Sequence, residues 1–231
     1  MRRQLQLAAL TIAFTAASLH AQIHFPSHNK KPQSEDLTWL APFATPEPGG
    51  RADELIHDPH FKPFLRDHLI APQRFWNENQ SLADTVYEYL STPGEVLLAD
   101  NRFLIVSGSV PDFNPDRGLL FVDLGAVQPF IAFAAIDWTQ ESKTTDDAGA
   151  SYSLWVFANR ALDAASDTDA TRIPPALKHS LASWIATPLD ITGKPQHITD
   201  AFLVDPDGTP HRVTPASLGI TVTPAADKAK S

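Results

Sequence analysis

A run of strand-like segments between two helical ones constrains the fold more than any other feature of the sequence. These segments are short, apolar and rich in β-branched and aromatic residues, and polar connections join them. Such runs are typical of β-strands, and short links without intervening helices favour antiparallel neighbours. The segments between the two helical ones are GEVLLADNRFLIVSGSV, which predicts two strands around Asp100 and Asn101, then RGLLFVDLG, PFIAFAAIDW and SYSLWVFANR. A final pair, HITDAFLV and TPHRV around Asp207 and Gly208, follows the second helical segment.

Two segments carry the helical period instead. In SLADTVYEYLSTPG, Ser81 is a predicted N-cap, and the apolar side chains fall on one face. In IPPALKHSLASWIATP, prolines open the helix and Pro188 closes it. The predicted apolar faces are Leu82, Val86, Tyr89 and Leu90 in the first helix, and Leu177, Leu181, Trp184 and Ile185 in the second. We therefore predict an α+β fold, a mainly antiparallel sheet of five or more strands with helices packed on one face.

The ends of the chain differ in composition from its middle. Arg2 and Arg3 precede an apolar run that ends in Leu19-His20-Ala21, which predicts a signal peptide over residues 1–21. Residues 22–50 are polar and proline-rich and predict a linker whose Trp39 and Leu40 dock on the domain. Residues 51–218 form the predicted single domain, and 219–231 a flexible tail.

Charge and sulfur content narrow the possible partners and chemistry. Loss of the two signal arginines takes the formal charge from −9 to −11, because all 27 acidic residues follow Ala21. Such a surface repels nucleic acid, so we expect no nucleic-acid partner. The chain has no cysteine and its only methionine is Met1, which excludes thiol nucleophiles, thiolate metal sites and a lipid anchor on cysteine. We expect a periplasmic or extracellular protein without membrane insertion after signal cleavage, and we predict no cofactor.

The segment ELIHDPHFKPFLRDHL is the densest cluster of chemically active side chains. His57, Asp58, His60 and His68 are candidates for acid/base or metal-ligand roles. Pro59 and Pro63 oppose a continuous helix through the histidines, so an Asp58-Pro59-His60-Phe61 turn is expected, with a short helix from Pro63 to about Leu69. We favour a structural turn, with His68 half-buried. The metal-site alternative requires a third ligand beside His57 and His60.

A pair of carboxylates on neighbouring strands offers a second candidate for acid/base chemistry. If Leu124 faces Phe130 across the turn, Asp137 lies opposite Arg117, and Asp123 is about 23 Å away at strand rise. That distance excludes shared acid/base work. The count predicts a cross-strand ion pair between Asp137 and Arg117 instead.

Aromatic residues beside polar loops are the remaining candidates for binding. Trp76, in QRFWNENQ, and Trp138, at a strand end, are expected to be exposed and to line a ligand-binding surface. Ser107 and Ser109, in VSGSV, do not form a nucleophile motif and are expected at a strand end or bulge.

The sequence as a whole favours an exported soluble domain that is a non-enzymatic binding or interaction module. Its partner would be a protein or a small molecule. The alternative is a hydrolase, possibly metal-dependent, built on His57, Asp58, His60 and His68.

Overall fold

Seven strands form one sheet whose order follows the chain from β1 to β7. The computed structural model describes residues 36–72, 80–138, 150–162, 172–190 and 192–221. The strands are β1 (Thr92–Ala99), β2 (Phe103–Val110), β3 (Phe113–Asp123), β4 (Ile131–Trp138), β5 (Ser151–Ala158), β6 (His197–Val204) and β7 (Pro210–Val213). All neighbouring pairs are antiparallel except β5 and β6, which are parallel. The predicted α+β class and mainly antiparallel sheet are confirmed.

The helices within the described ranges include both segments with the predicted helical period. They are α1 (Ala52–His57), α2 (Phe61–His68), α3 (Leu82–Tyr89) and α4 (Pro175–Ala186), with 3₁₀ helices at Thr38–Ala44 and Pro215–Leu218. The Oγ of Ser81 accepts a hydrogen bond from the backbone N–H of Asp84 and so caps α3. Pro174 and Pro175 open α4, where a missing N–H costs nothing.

The helices do not share one face of the sheet, so the prediction of one-sided packing is not confirmed. Side chains alternate between faces along each strand. On β3, Leu120 and Val122 share a core cluster with α1, α2 and α3, and this side is called the N-terminal face. Leu119 and Phe121 share a second cluster with α4, and this side is called the α4 face. Both faces of the central strands are therefore buried.

The core begins upstream of Arg51 and extends past Leu218. Leu37 and Leu40 are 4% and 0% exposed and belong to the cluster on the N-terminal face. Ile220 is 5% exposed and belongs to the cluster on the α4 face. Parts of the predicted linker and tail therefore contribute to folding. The predicted signal peptide lies outside the described residues.

The helix after the Asp58 turn starts earlier than predicted. Asp58 has the expected extended backbone, and the N–H of Phe61 closes the turn onto its carbonyl at 3.0 Å. The expected start at Pro63 is wrong, however, because α2 begins at Phe61. Pro63 lies in the first turn of the helix, where its missing N–H would have no partner in any case.

Two glycines let α3 approach the sheet closely on the N-terminal face. Gly108 of β2 and Gly118 of β3 lie directly opposite each other. A Cβ at Gly118 would lie 2.8 Å from the Cβ of Tyr89, and one at Gly108 would lie 2.7 Å from the Cα of Leu90. Any side chain at either position would therefore push the end of α3 away from the sheet.

The register between β3 and β4 differs by one residue from the count made on the sequence. Arg117 lies opposite Ile136 rather than opposite Asp137. A shift of one residue moves a side chain to the other face of the sheet. Arg117 therefore points to the α4 face and Asp137 to the N-terminal face, so the predicted ion pair between them is wrong.

Within the described ranges, no helix is both long enough and apolar enough to cross a bilayer.

Candidate functional site

A groove of about 650 Å³ opens on the α4 face of the sheet. The apolar side of α4 shares its core cluster with β3, β4, β5 and β6. The first two strands extend beyond this cover, so their α4 face forms the floor of the groove. Three parts of the fold line it. They are β1, with Thr92, Pro93, Gly94, Glu95, Leu97 and Ala99; β2 and β3, with Ile105, Ser107, Gly108, Ser109, Arg117 and Leu119; and α4 with the loop after it, with His179, Ser180, Ser183, Trp184, Thr187, Pro188, Leu189 and Asp190.

The groove is polar at one end and apolar at the other. Ser109 lies opposite Arg117 at the end where α4 finishes. Four residues along β2, Ile105 lies opposite Leu97 of β1. Ile105 is half-buried and Leu97 is 37% exposed, so the apolar end has a floor that no helix or strand of the described ranges covers completely. This polarity suits a ligand with a polar head and an apolar body.

Arg117 forms the inner wall at the polar end. Its Nε donates to Oε1 of Gln196 at 2.7 Å, and its terminal nitrogens donate to the backbone oxygens of Thr187 and Trp184 at 3.3 and 3.4 Å. The guanidinium also lies over the Trp184 ring, 5.2 Å from its centroid. Arg117 thus links the last turn of α4 to the sheet. The negative end of the helix dipole also stabilises a cation at this position.

The Arg117 guanidinium keeps its charge despite its burial. Burial lowers its pKa to about 10, which leaves it protonated at neutral pH. Gln196, its nearest partner, is itself buried and donates to the backbone oxygen of Pro115 at 2.6 Å. The hydrogen-bond partners given above are an amide and two peptide carbonyls, all neutral. The inner wall therefore presents one positive charge that neutral groups hold in place.

The histidines proposed from the sequence make local contacts. Nδ1 of His57 lies 2.8 Å from the backbone oxygen four residues earlier, and Nδ1 of His60 lies 2.9 Å from Oδ1 of Asp58. Their side chains are 63% and 78% exposed. His68 is half-buried, as predicted, and its ring lies 5.1 Å from that of Phe64.

These contacts do not assemble a metal centre. In the part of the chain that the structure describes, no three histidine, aspartate or glutamate side chains are grouped closely enough to hold an ion. His57, Asp58, His60 and His68 therefore gain no support as ligands, and the hydrolase alternative stays a prediction from sequence.

The two carboxylates considered for acid/base work lie at opposite ends of β3 and β4. Asp123 accepts two hydrogen bonds from Arg102, each of 2.7 Å, which hold the pKa of this carboxyl below its ordinary value. Asp137 lies on the N-terminal face, one position beyond Ile136, the last residue of β4 that pairs with β3. The sequence count placed it opposite Arg117 because it assumed a turn of residues 125–129, which is one residue shorter than the turn of residues 124–129 defined by the hydrogen bond from the N–H of Asp123 to the oxygen of Phe130.

The tryptophans proposed as a binding surface cannot be placed in a site. Trp76 lies outside the described residues. Trp138 is the last residue of β4, where its backbone pairs with Tyr152, and its side chain is not among the described ones. The tryptophan that does line the groove is Trp184, which the sequence assigned to the core and which is 9% exposed.

Sequence reasoning missed the groove and its arginine. The prediction that Ser107 and Ser109 lie at a strand end or bulge is confirmed by a register shift between Ser109 and Val110. The available signal was the alternation along β2, where Ile105, Ser107 and Ser109 share one face. That face could have been recognised as half apolar and half polar, but not as uncovered.

Comparisons with known proteins identify no relative. No family model matches the chain, and neither a curated protein nor a solved structure resembles it at a significant level.

Proposed function

We propose that this protein is a binding module whose ligand is a small, largely apolar molecule held between α4 and the first two strands. The observation that carries the proposal is an uncovered apolar floor inside a groove of about 650 Å³. Pockets for small molecules are usually of this size, mostly apolar, with a few polar groups that orient the ligand.

Exposure of large apolar residues supports the choice of this surface. Four such residues stand out within the described ranges, namely Ile70, Leu97, Phe113 and Val127. Of these four, Leu97 lines the groove. Its cross-strand partner Ile105 extends the apolar surface, so the two side chains form a patch rather than isolated contacts.

We further propose that the protein acts outside the cytoplasm. The support is the predicted signal peptide over residues 1–21, in which Arg2 and Arg3 precede an apolar run. Fractionation of the native host should recover the protein from the periplasm or the medium, and its recovery with the cytoplasm would overturn this part of the proposal.

A neutral fluorescent probe tests the groove. Nile red should bind the wild-type protein with enhanced fluorescence, and Leu97→Glu should weaken binding at least tenfold, because a carboxylate at the floor opposes an apolar ligand. Val127→Glu is the matched control, since Val127 is 69% exposed and lies outside the groove. Equal effects of the two substitutions, or no probe binding to the wild type, would overturn the proposal.

A further inference from the structure

We propose that the groove selects a monoanionic amphiphile, with the anionic head group against Arg117 and the apolar tail along Leu97 and Ile105. This inference rests on the proposed function, because it names the class of ligand for the same groove. A medium-chain carboxylic acid is the simplest molecule of this class.

The spacing of the two ends fits such a molecule. Arg117 lies opposite Ser109 and Leu97 lies opposite Ile105, so the polar and apolar ends are four residues apart on β2. At strand rise this is about 13 Å. A linear acid of medium length can therefore reach both ends at once.

Arg117 has hydrogen-bonding capacity left for a ligand. A guanidinium carries five N–H donors, and the bonds to Gln196, Thr187 and Trp184 use three of them. The remaining donors belong to the two terminal nitrogens, the pair that binds the two oxygens of a carboxylate. The inner wall can thus receive an acid without losing its contacts to α4.

The charge balance at the inner wall favours an anion. Arg117 is half-buried, and a partly desolvated cation whose hydrogen-bond partners are neutral retains a desolvation cost that a counter-charge would offset. The end of α4 supplies only about half a negative charge. Net positive character therefore remains at Arg117, and a bound carboxylate would neutralise it.

The rim of the groove limits the ligand to a single negative charge. Glu95 and Asp190 both line the groove and are both exposed. Solvent weakens the effect of these exposed charges, and they repel a second negative charge on the part of the ligand that projects toward the rim. Phosphate esters and other multiply charged ligands should consequently bind less well than a carboxylic acid.

Displacement of Nile red from the wild-type protein tests the inference directly. Decanoate should displace the probe at concentrations at least tenfold lower than decan-1-ol or decyltrimethylammonium, which have the same tail with a neutral or positive head. Decyl phosphate should be weaker than decanoate. If the three ten-carbon tails with anionic, neutral and cationic heads compete equally, the groove binds apolar molecules without charge selection and this inference is wrong.

Variants locate the selectivity at the polar end. Arg117→Gln should reduce the preference for decanoate over decan-1-ol to less than threefold, whereas Arg117→Lys should keep part of it. Because Arg117 also ties α4 to the sheet, thermal unfolding must first show that each variant is folded. Unchanged selectivity in a folded R117Q protein would overturn the inference.

A substitution at Ser183 tests the position of the head group without removing the hydrogen bonds of Arg117. Ser183 lines the groove on the last turn of α4 and is exposed. Ser183→Asp should weaken decanoate at least fivefold relative to Ser183→Asn, which has a similar size, while decan-1-ol is unaffected. Equal decanoate affinities would contradict an anionic head at this end. If L97E loses Nile red binding while the two Ser183 variants bind decanoate equally well, this inference is wrong but the proposed function is supported.

Discussion

The two faces of β2 and β3 are built from the same strands but closed in different ways. On the N-terminal face, Gly108 and Gly118 allow α3 to come within van der Waals distance of the backbone. On the α4 face, the neighbouring positions carry Ser107 and Ser109, and α4 packs further along the sheet. One face is closed where two glycines let α3 lie against the sheet, and the other keeps side chains that no helix in the described part of the chain covers.

This difference separates the positions that serve stability from those available for binding. Leu120, on the N-terminal face, is fully buried, whereas Leu97, on the α4 face, is 37% exposed. Burial of an apolar side chain stabilises the fold in proportion to the area removed from water. The sealed face should therefore dominate the free energy of unfolding, and the open face should tolerate change. Four predictions test this contrast.

Truncation of a core leucine should give the largest contrast. Leu120→Ala should lower the free energy of unfolding by about 2–5 kcal/mol, because it leaves a cavity under α3. Leu97→Ala should cost about 1 kcal/mol or less, since its side chain is already partly in water. Chemical denaturation of both variants measures the difference, and similar losses would show that the groove floor is part of the core.

Addition of methyl groups should show the same contrast in the opposite direction. Gly118→Ala should cost about 1–3 kcal/mol, because its Cβ would lie 2.8 Å from the Cβ of Tyr89 and 3.0 Å from the backbone oxygen of Tyr89. Ala99→Val, on the exposed floor of the groove, should change stability by less than about 0.5 kcal/mol. Thermal melting of the two proteins would contradict the close packing of α3 if G118A were as stable as the wild type.

The helix of the sealed face should depend on its cap. Ser81→Ala removes the hydrogen bond from the N–H of Asp84, 3.2 Å long, and should cost about 1 kcal/mol. Ser180→Ala, inside α4, is the control, because alanine is the better helix former there and should be neutral. Urea denaturation should separate the two variants, and an equal response would show that the cap contributes nothing.

The smallest effect should come from the ion pair at the far end of the β2 and β3 strands. Asp123→Asn should cost about 1 kcal/mol at neutral pH, a value limited by solvent at Arg102, whose side chain is 50% exposed. The hydrogen bonds from Arg102 depress the pKa of Asp123, so the stabilisation is present above the unfolded value of 3.8 and is lost as the pH falls through the folded value. The difference between wild type and D123N should shrink below about pH 4. If the stability difference between wild type and D123N grows in acid, the pKa of Asp123 is not lowered in the folded protein.

Most elements of the fold could be predicted because they depend on local periodicity. All seven strands overlap the apolar runs read from the sequence, although β1 and β3 begin before them, at Thr92 and Phe113, and both helices with a clear apolar face form. The turn at Asp100 and Asn101 forms with positive φ at both residues, as short turns between antiparallel strands prefer. The hairpin at Gly208, with φ of 88°, has the same origin.

What failed depends on information that is not local. The exact length of the turn between β3 and β4 sets the register of the two strands. An error of one residue in that length placed Arg117 opposite Asp137 instead of opposite Ile136. The parallel pairing of β5 with β6 requires the chain to cross between them through α4. The sequence prediction of antiparallel neighbours assumed short links between strands and did not include this crossing. The Pro63 error arose because the rule for the residue before proline is weaker in the first turn of a helix.

The candidate site was less predictable than the fold. His57 and His60 attracted attention because histidines are chemically versatile, yet both are exposed on a local turn. Arg117 carried no motif, and its role follows from its burial between the sheet and the end of α4. A groove is defined by what a helix leaves uncovered, and a sequence does not state where α4 will lie across the strands.

The single parallel pair also determines where the chain loses most of its freedom on folding. Each antiparallel pairing joins consecutive strands through a connection of at most 12 residues, such as residues 100–102 between β1 and β2. The pairing of β5 with β6 must instead close residues 159–196, which costs about 2 kcal/mol more in loop entropy than a three-residue turn. Five of the six junctions between neighbouring strands thus close at lower entropic cost, and the largest penalty falls on the sixth, the one that α4 spans.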